Sequence, residues 1–221
     1  FILSKNKLLS TIAYKIDGKI CYALEGSIFI AGAVVQWLRD SINIIDKADQ
    51  VGDLASKAKK QNIYFVPAFT GLGAPYWDAD ARGAIFGLLR DTGREEIALA
   101  ALESVGFQTR DLLEAMIKDV NGMERDHIKL RVDGGMTQSS LTMKILANLT
   151  GVEINIPVVQ ESTAKGVAWL AGMKIGLYNQ LEAFEKEWAI KEKFSSNLSS
   201  DERDKKYEGW KEAIEKTRTS A

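Results

Sequence analysis

The sequence predicts a mixed α/β domain, and three observations carry that prediction. An Asp17-Gly18 turn signal joins two strand-like segments near the beginning. A stretch from about 94 to 119 repeats apolar residues at helical spacing. From residue 128 onward, strand-like and helix-like segments alternate. A hairpin followed by alternating strands and helices implies a sheet that is part antiparallel and part parallel.

The elements follow in order. Leu9 to Ile16 and Lys19 to Leu24 are the hairpin strands. Ile28, Ala31, Val35, Leu38 and Ile42 recur at spacings of three and four, placing them on one helical face. Residues 46–60 read as a second, more polar helix, and Ile63 to Val66 as a short strand ending at Pro67. Residues 67–83 are rich in glycine and aromatic side chains and fit neither period, so they are expected to form a loop packed by its own side chains. Thr92-Gly93-Arg94-Glu95 has capping-box form. The helix after it carries Leu102, Val105, Thr109, Leu112 and Met116 on one face. Ile128 to Val132 alternates as a strand and runs into Asp133-Gly134-Gly135. A helix over 138–149, a strand from Val152 to Ile156 and a helix from near Ser162 follow. That helix is built from Ala164, Gly166, Ala168, Ala171 and Gly172, small residues that let it approach a neighbour closely. The last helix, about 201–218, is strongly charged with a thin stripe of Tyr207, Trp210 and Ile214.

Composition excludes several functions. The chain has 221 residues, enough for one large domain. Its formal net charge of -1 lacks the overall basic character that attracts nucleic acid. A single cysteine, Cys21, forbids an internal disulfide and fits a reducing, cytoplasmic setting. The single histidine, His127, sits in the charged run Glu124-Arg125-Asp126 and reads as a solvated surface residue. No apolar run approaches the roughly 18 residues of a membrane span, and no signal peptide is visible. The chain opens Phe1-Ile2-Leu3 without methionine and reads as a fragment or a processed piece.

Three features could carry chemistry. Asp133-Gly134-Gly135 is either a tight turn or a place where a ligand meets bare backbone at a helix start. Gly32 and Gln36 lie one helical turn apart, away from the apolar face, and serve either a close helix crossing or a ligand. Asp78, Asp80 and Asp91 are explained by turn chemistry. No G-x-x-x-x-G-K-[ST] loop occurs. From the residues alone, the reading ends at an α/β domain with a candidate nucleotide site.

The sequence also resembles a known family. Gly83-Ala84-Ile85-Phe86-Gly87-Leu88, then seven residues, then Glu96-Ile97 and Ala100-Ala101-Leu102-Glu103, is similar at every fixed position to a signature of the sugar kinases, also called FGGY carbohydrate kinases. Four stretches resemble that family's glycerol kinase branch: residues 22–26, 66–78, 81–88 and Phe107-Gln108-Thr109-Arg110-Asp111. The resemblance spans essentially the whole chain. It implies the actin-like, ribonuclease-H-like ATPase fold, with residues 1–221 as the C-terminal, nucleotide-binding domain of a two-domain kinase. It further implies ATP or ADP with Mg2+ as cofactor and glycerol as substrate, with another polyol or sugar, or a non-catalytic nucleotide-binding role, as alternatives. By motif position, Gly32, Gln36, Gly135 and Ser139 are the implied nucleotide contacts. Ser139 stands where the family usually has asparagine. The family's Gly-Thr-Gly phosphate loop, aspartate base and glycerol-binding residues match nothing here, so no catalytic residue and no metal ligand is assigned. The expected partners are the N-terminal domain and a second copy in a homo-oligomer, with neither nucleic acid nor membrane insertion.

Overall fold

A computed structural model of the chain describes residues 1–59, 62–178, 184 and 188–219. The hairpin strands are β1 (Leu9–Ile16) and β2 (Lys19–Glu25), antiparallel about the left-handed Asp17 and Gly18. Helix α1 (Gly32–Asp40) is shorter than its apolar periodicity suggests. Ile28 and Ala31 precede it because Ser27 is held as a hydrogen-bond acceptor by Ala74 N at 3.2 Å. Asn43, at φ 54°, turns the chain left-handed just beyond its end. The polar second helix contracts to α2 (Gln50–Ala55), and residue 60 lies outside the described residues.

Strand β3 (Tyr64–Val66) pairs antiparallel with β4 (Ala84–Phe86), a strand that sequence periodicity does not reveal. Between them lies the expected irregular loop. Its Asp78 is buried, accepts Ala81 N as turn chemistry requires, and also receives Thr219 N and Thr219 Oγ1, each at 2.7 Å. Gly73 faces the Ser27 carbonyl so closely that a β-carbon there would overlap rigid backbone. Gly73→Ala should therefore cost at least ~2 kcal/mol, a fall in melting temperature of roughly 4–8 °C, measurable by differential scanning calorimetry.

Helix α3 (Arg94–Asp119) is the central support. Its start differs from the expected capping box. Thr92 Oγ1 accepts from Leu89 N instead, and Glu96 reaches back to Gly93 N at 2.8 Å. Strand β5 (Lys129–Arg131) pairs in parallel with β6 (Glu153–Pro157). An unanticipated strand, β7 (Ile190–Phe194), closes that sheet antiparallel to β6. Helix α4 (Ser140–Thr150) packs on α3 where Gly106 leaves room for Leu149; a β-carbon on Gly106 would sit 2.9 Å from Leu149 Cδ1. That is the close helix crossing in the described residues. Helix α5 (Ser162–Lys174) does not make one: only its Trp169 and Gly172 are buried, and Ala164, Ala168 and Ala171 are exposed. Gly172 instead makes room for the Tyr178 ring, which stacks on Trp169.

The charged last helix, α6 (Ser200–Thr217), lays its thin apolar stripe across the main core. Trp210 is fully buried and stacks on Phe107 at 5.2 Å. Two polar residues of α3 hold it there. Asp111 accepts from Tyr207 Oη at 2.6 Å and Trp210 Nε1 at 2.9 Å. Arg110 donates to the Arg203 carbonyl and the Asp204 carboxylate while lying 4.1 Å over the Tyr207 ring. Burial pushes the Asp111 carboxyl up to about 6, against the opposing pull of hydrogen bonds from Tyr207, Trp210 and Tyr76. No helix among the described residues is long and apolar enough to cross a membrane.

Candidate nucleotide site

Strand β5 ends where Val132 N donates to Asn155 O at 3.0 Å, the last rung of its ladder to β6. Asp133-Gly134-Gly135 then turns sharply. Gly134 lies at φ 88°, which side-chain-bearing residues rarely adopt, so the turn requires this glycine. Its carbonyl accepts both Thr137 N at 3.1 Å and Thr137 Oγ1 at 2.7 Å, winding residues 135–138 into a 3-10 turn. Gly135 has no such conformational need. A β-carbon there would meet nothing within 4 Å. The turn thus accounts for one glycine and leaves the backbone of the other bare.

Ser139 ends the turn and starts α4: its Oγ accepts from Thr142 N at 3.2 Å as an N-cap. Gln138 Nε2 donates to Gln160 Oε1 at 2.9 Å, tying this loop to the one that follows β6. Opposite lies α1. Gly32 is its first residue rather than an interior one. A β-carbon on Gly32 would sit an ordinary 3.8 Å from Met136 Cγ, so helix packing does not demand a glycine. Ala31 precedes the helix and has no side chain that could cap it, leaving the first-turn N–H groups to other partners.

These segments enclose one cavity of about 750 Å³. Gly32, Gln36, Gly135 and Ser139, which come from two separate stretches of sequence, all line it. Val35, Val51, Leu102, Leu141 and Met136 supply apolar walls, and Leu102 comes from the middle of α3. Bare backbone at the start of a helix on one side and a flat apolar wall on the other suit a ligand with an anionic end and a planar ring. Arg39 also reaches the cavity, but its guanidinium is held by Asp40 at 2.6 Å; that hydrogen bond raises the arginine's affinity for its proton and lowers that of Asp40.

Sequence reasoning missed the contribution of α2. Asp49, Gly52, Asp53 and Ser56 all face the cavity. Ala48, Gly52 and Ser56 recur every four residues, a spacing visible in the sequence, yet small residues in a polar helix draw no attention without a neighbour to face. His127, by contrast, is exposed as expected, with Glu124 at 3.8 Å. Among the described residues no group of three His, Cys, Asp or Glu side chains could hold a metal ion.

Known proteins share this architecture. A glycerol kinase of Chelativorans sp. (strain BNC1) is 54% identical over 220 residues, covering 99% of this chain and 44% of its own length. One of Rhizobium meliloti (strain 1021) is 53% identical over 221 residues, again with 44% of its length covered. The crystal structure of Plasmodium falciparum glycerol kinase with ADP superposes with a TM-score of 0.88 at 34% identity, covering all of this chain and 44% of that one. The expected actin-like fold is thereby established, and the chain spans under half the length of the relatives it matches. Residues 4–175 match the FGGY family of carbohydrate kinases, C-terminal domain, and the chain belongs to that family.

Proposed function

We propose that this chain is the nucleotide-binding part of a glycerol kinase, which transfers the γ-phosphoryl group of Mg-ATP to glycerol and gives glycerol 3-phosphate. The observation that carries the proposal is the meeting of Gly32, Gln36, Gly135 and Ser139 on one cavity. The ADP in the Plasmodium falciparum glycerol kinase structure and the names of the most similar relatives support it.

In this reading the phosphates lie at the start of α1. The bare backbone of Gly32 and Gly135 allows close approach there, and amide N–H groups meet negative charge. The Gln36 amide, one turn along α1, adds a polar contact. The nucleoside lies against Val35, Val51, Leu102 and Leu141. Magnesium arrives with ATP as part of the substrate. Phosphoryl transfer depends mainly on positioning and charge stabilisation, and this chain contributes the positioning of the donor. The group that takes the glycerol proton, and the glycerol contacts themselves, belong to the N-terminal domain of the full kinase.

Gly135→Val places a branched side chain where the backbone meets the nucleotide. ADP affinity of the chain, followed by ligand-observed NMR, should fall at least ~10-fold, or ~1.4 kcal/mol. Gln36→Ala should weaken binding less. Unchanged affinity in both variants, with unfolding curves like the parent's, would remove the basis of the assignment.

A further inference from the structure

With a nucleotide in the cavity, the reading on which this inference rests, the two ends of the cavity have different chemistry. The end formed by Gly32 and Gly135 offers backbone amides. The other end carries the carboxylates of Asp49, just before α2, and Asp53, within it, and these repel phosphate. The base therefore lies at the α2 end.

The groups there are small and adaptable. Ser56 Oγ already donates to the Asp53 carbonyl at 2.8 Å, which leaves it lone pairs that can accept. Ser139 Oγ already accepts from Thr142 N, which leaves it a hydroxyl proton to donate. Gly52 packs against Ser139: a β-carbon there would come 3.1 Å from Ser139 Oγ, so the glycine lets α2 lie close to the start of α4. The two cavity amides are placed elsewhere. Gln138 is bound to Gln160, and Gln36 is one turn from the start of α1.

We infer that this base end accepts guanine as well as adenine, so that both purine nucleotides serve as ligands. Adenine presents an N6 amino donor beside ring-nitrogen acceptors. Guanine presents O6 and N7 acceptors with N1–H and N2 amino donors. A hydroxyl rotor donates equally to adenine N1 or guanine O6. Unpaired carboxylates accept from the adenine amino group or from the N1–H and N2 fork of guanine. Discrimination needs a fixed donor and acceptor in one plane, as in an amide.

The test is competitive ligand-observed NMR on the chain with ADP and GDP. The two dissociation constants should agree within ~10-fold, against the larger gap that a site built to hydrogen-bond one base imposes. Ser139→Asn keeps an N-cap acceptor but adds a planar amide suited to adenine. It should shift the preference toward ADP by ~10-fold or more. GDP binding more than ~10-fold weaker than ADP, or a Ser139→Asn variant with unaltered preference, overturns the inference. If ADP binds and Gly135→Val abolishes it while GDP does not bind, only this inference fails. If neither nucleotide binds, the nucleotide reading fails with it.

Discussion

Replacing Asp111 with alanine should destabilise the fold by roughly 4 kcal/mol at pH 5, among the largest effects of any single substitution in the chain. The carboxyl is buried and receives Tyr207 Oη and Trp210 Nε1, with Tyr76 contributing a third bond. Alanine strands these donors in a core that water does not reach, and each stranded donor costs ~1–3 kcal/mol. The pH dependence has a definite sign. The folded-state value, about 6, lies above that of an unfolded aspartate. As pH rises from 4 to 6, the unfolded chain loses its proton first, so this group's contribution to stability is full below pH 4 and is lost as pH passes 6. The deficit of Asp111→Ala should accordingly shrink between pH 5 and pH 7, and Asp111→Asn should lack the slope. Urea unfolding at pH 5, 6 and 7 measures both. A deficit under ~1 kcal/mol at pH 5, or one that grows with pH, would show that the carboxyl does not anchor α6 as described.

The purified chain supplied with Mg-ATP and glycerol should turn over no measurable glycerol 3-phosphate. In the proposed division between two domains, none of its residues takes the glycerol proton, and half a cleft would leave a bound phosphoryl group open to water. Alignment of reactants alone is worth effective molarities of ~10⁵ M or more, and its loss takes the rate below that of a coupled assay. The control is the same preparation carrying Gly135→Val. Activity in the parent above that control would place catalytic groups in this chain and revise the division of labour proposed for the two domains.

Much of this architecture is legible in the sequence, and the exceptions have physical causes. Periodicity finds α3 and α4 because long helices repeat their apolar face several times. It does not find β4, whose three residues complete no alternation that stands out. It also misses β7, where Lys191, Glu192 and Lys193 give an edge strand the look of a solvated segment. The ends of α1 are set by Ser27 and Asn43, through a distant hydrogen bond and a backbone angle that no helical pattern encodes. At the site, a strand–glycine–helix junction marks Gly134 and Gly135 from sequence. Which of the two is a turn residue and which leaves bare backbone needs φ angles. Arg110 and Asp111 stand out in sequence only as part of a family-like stretch, and the fold uses them to bind α6. Gly52 and Ser56 acquire meaning only when α2 and the start of α4 face each other.

The placement of α6 also governs how the protein comes into being. Tyr207, Trp210, Ala213 and Ile214 belong to the same core as Val34, Leu38 and Phe65. A ribosome makes those early residues well before the late ones, and the tunnel hides the newest stretch of chain. The core that surrounds Phe107 therefore cannot close until translation of this region is essentially finished. For most of synthesis the nascent chain presents an open apolar surface over α3. Chaperone binding to stalled nascent chains should accordingly persist until the last turns of α6 have cleared the tunnel.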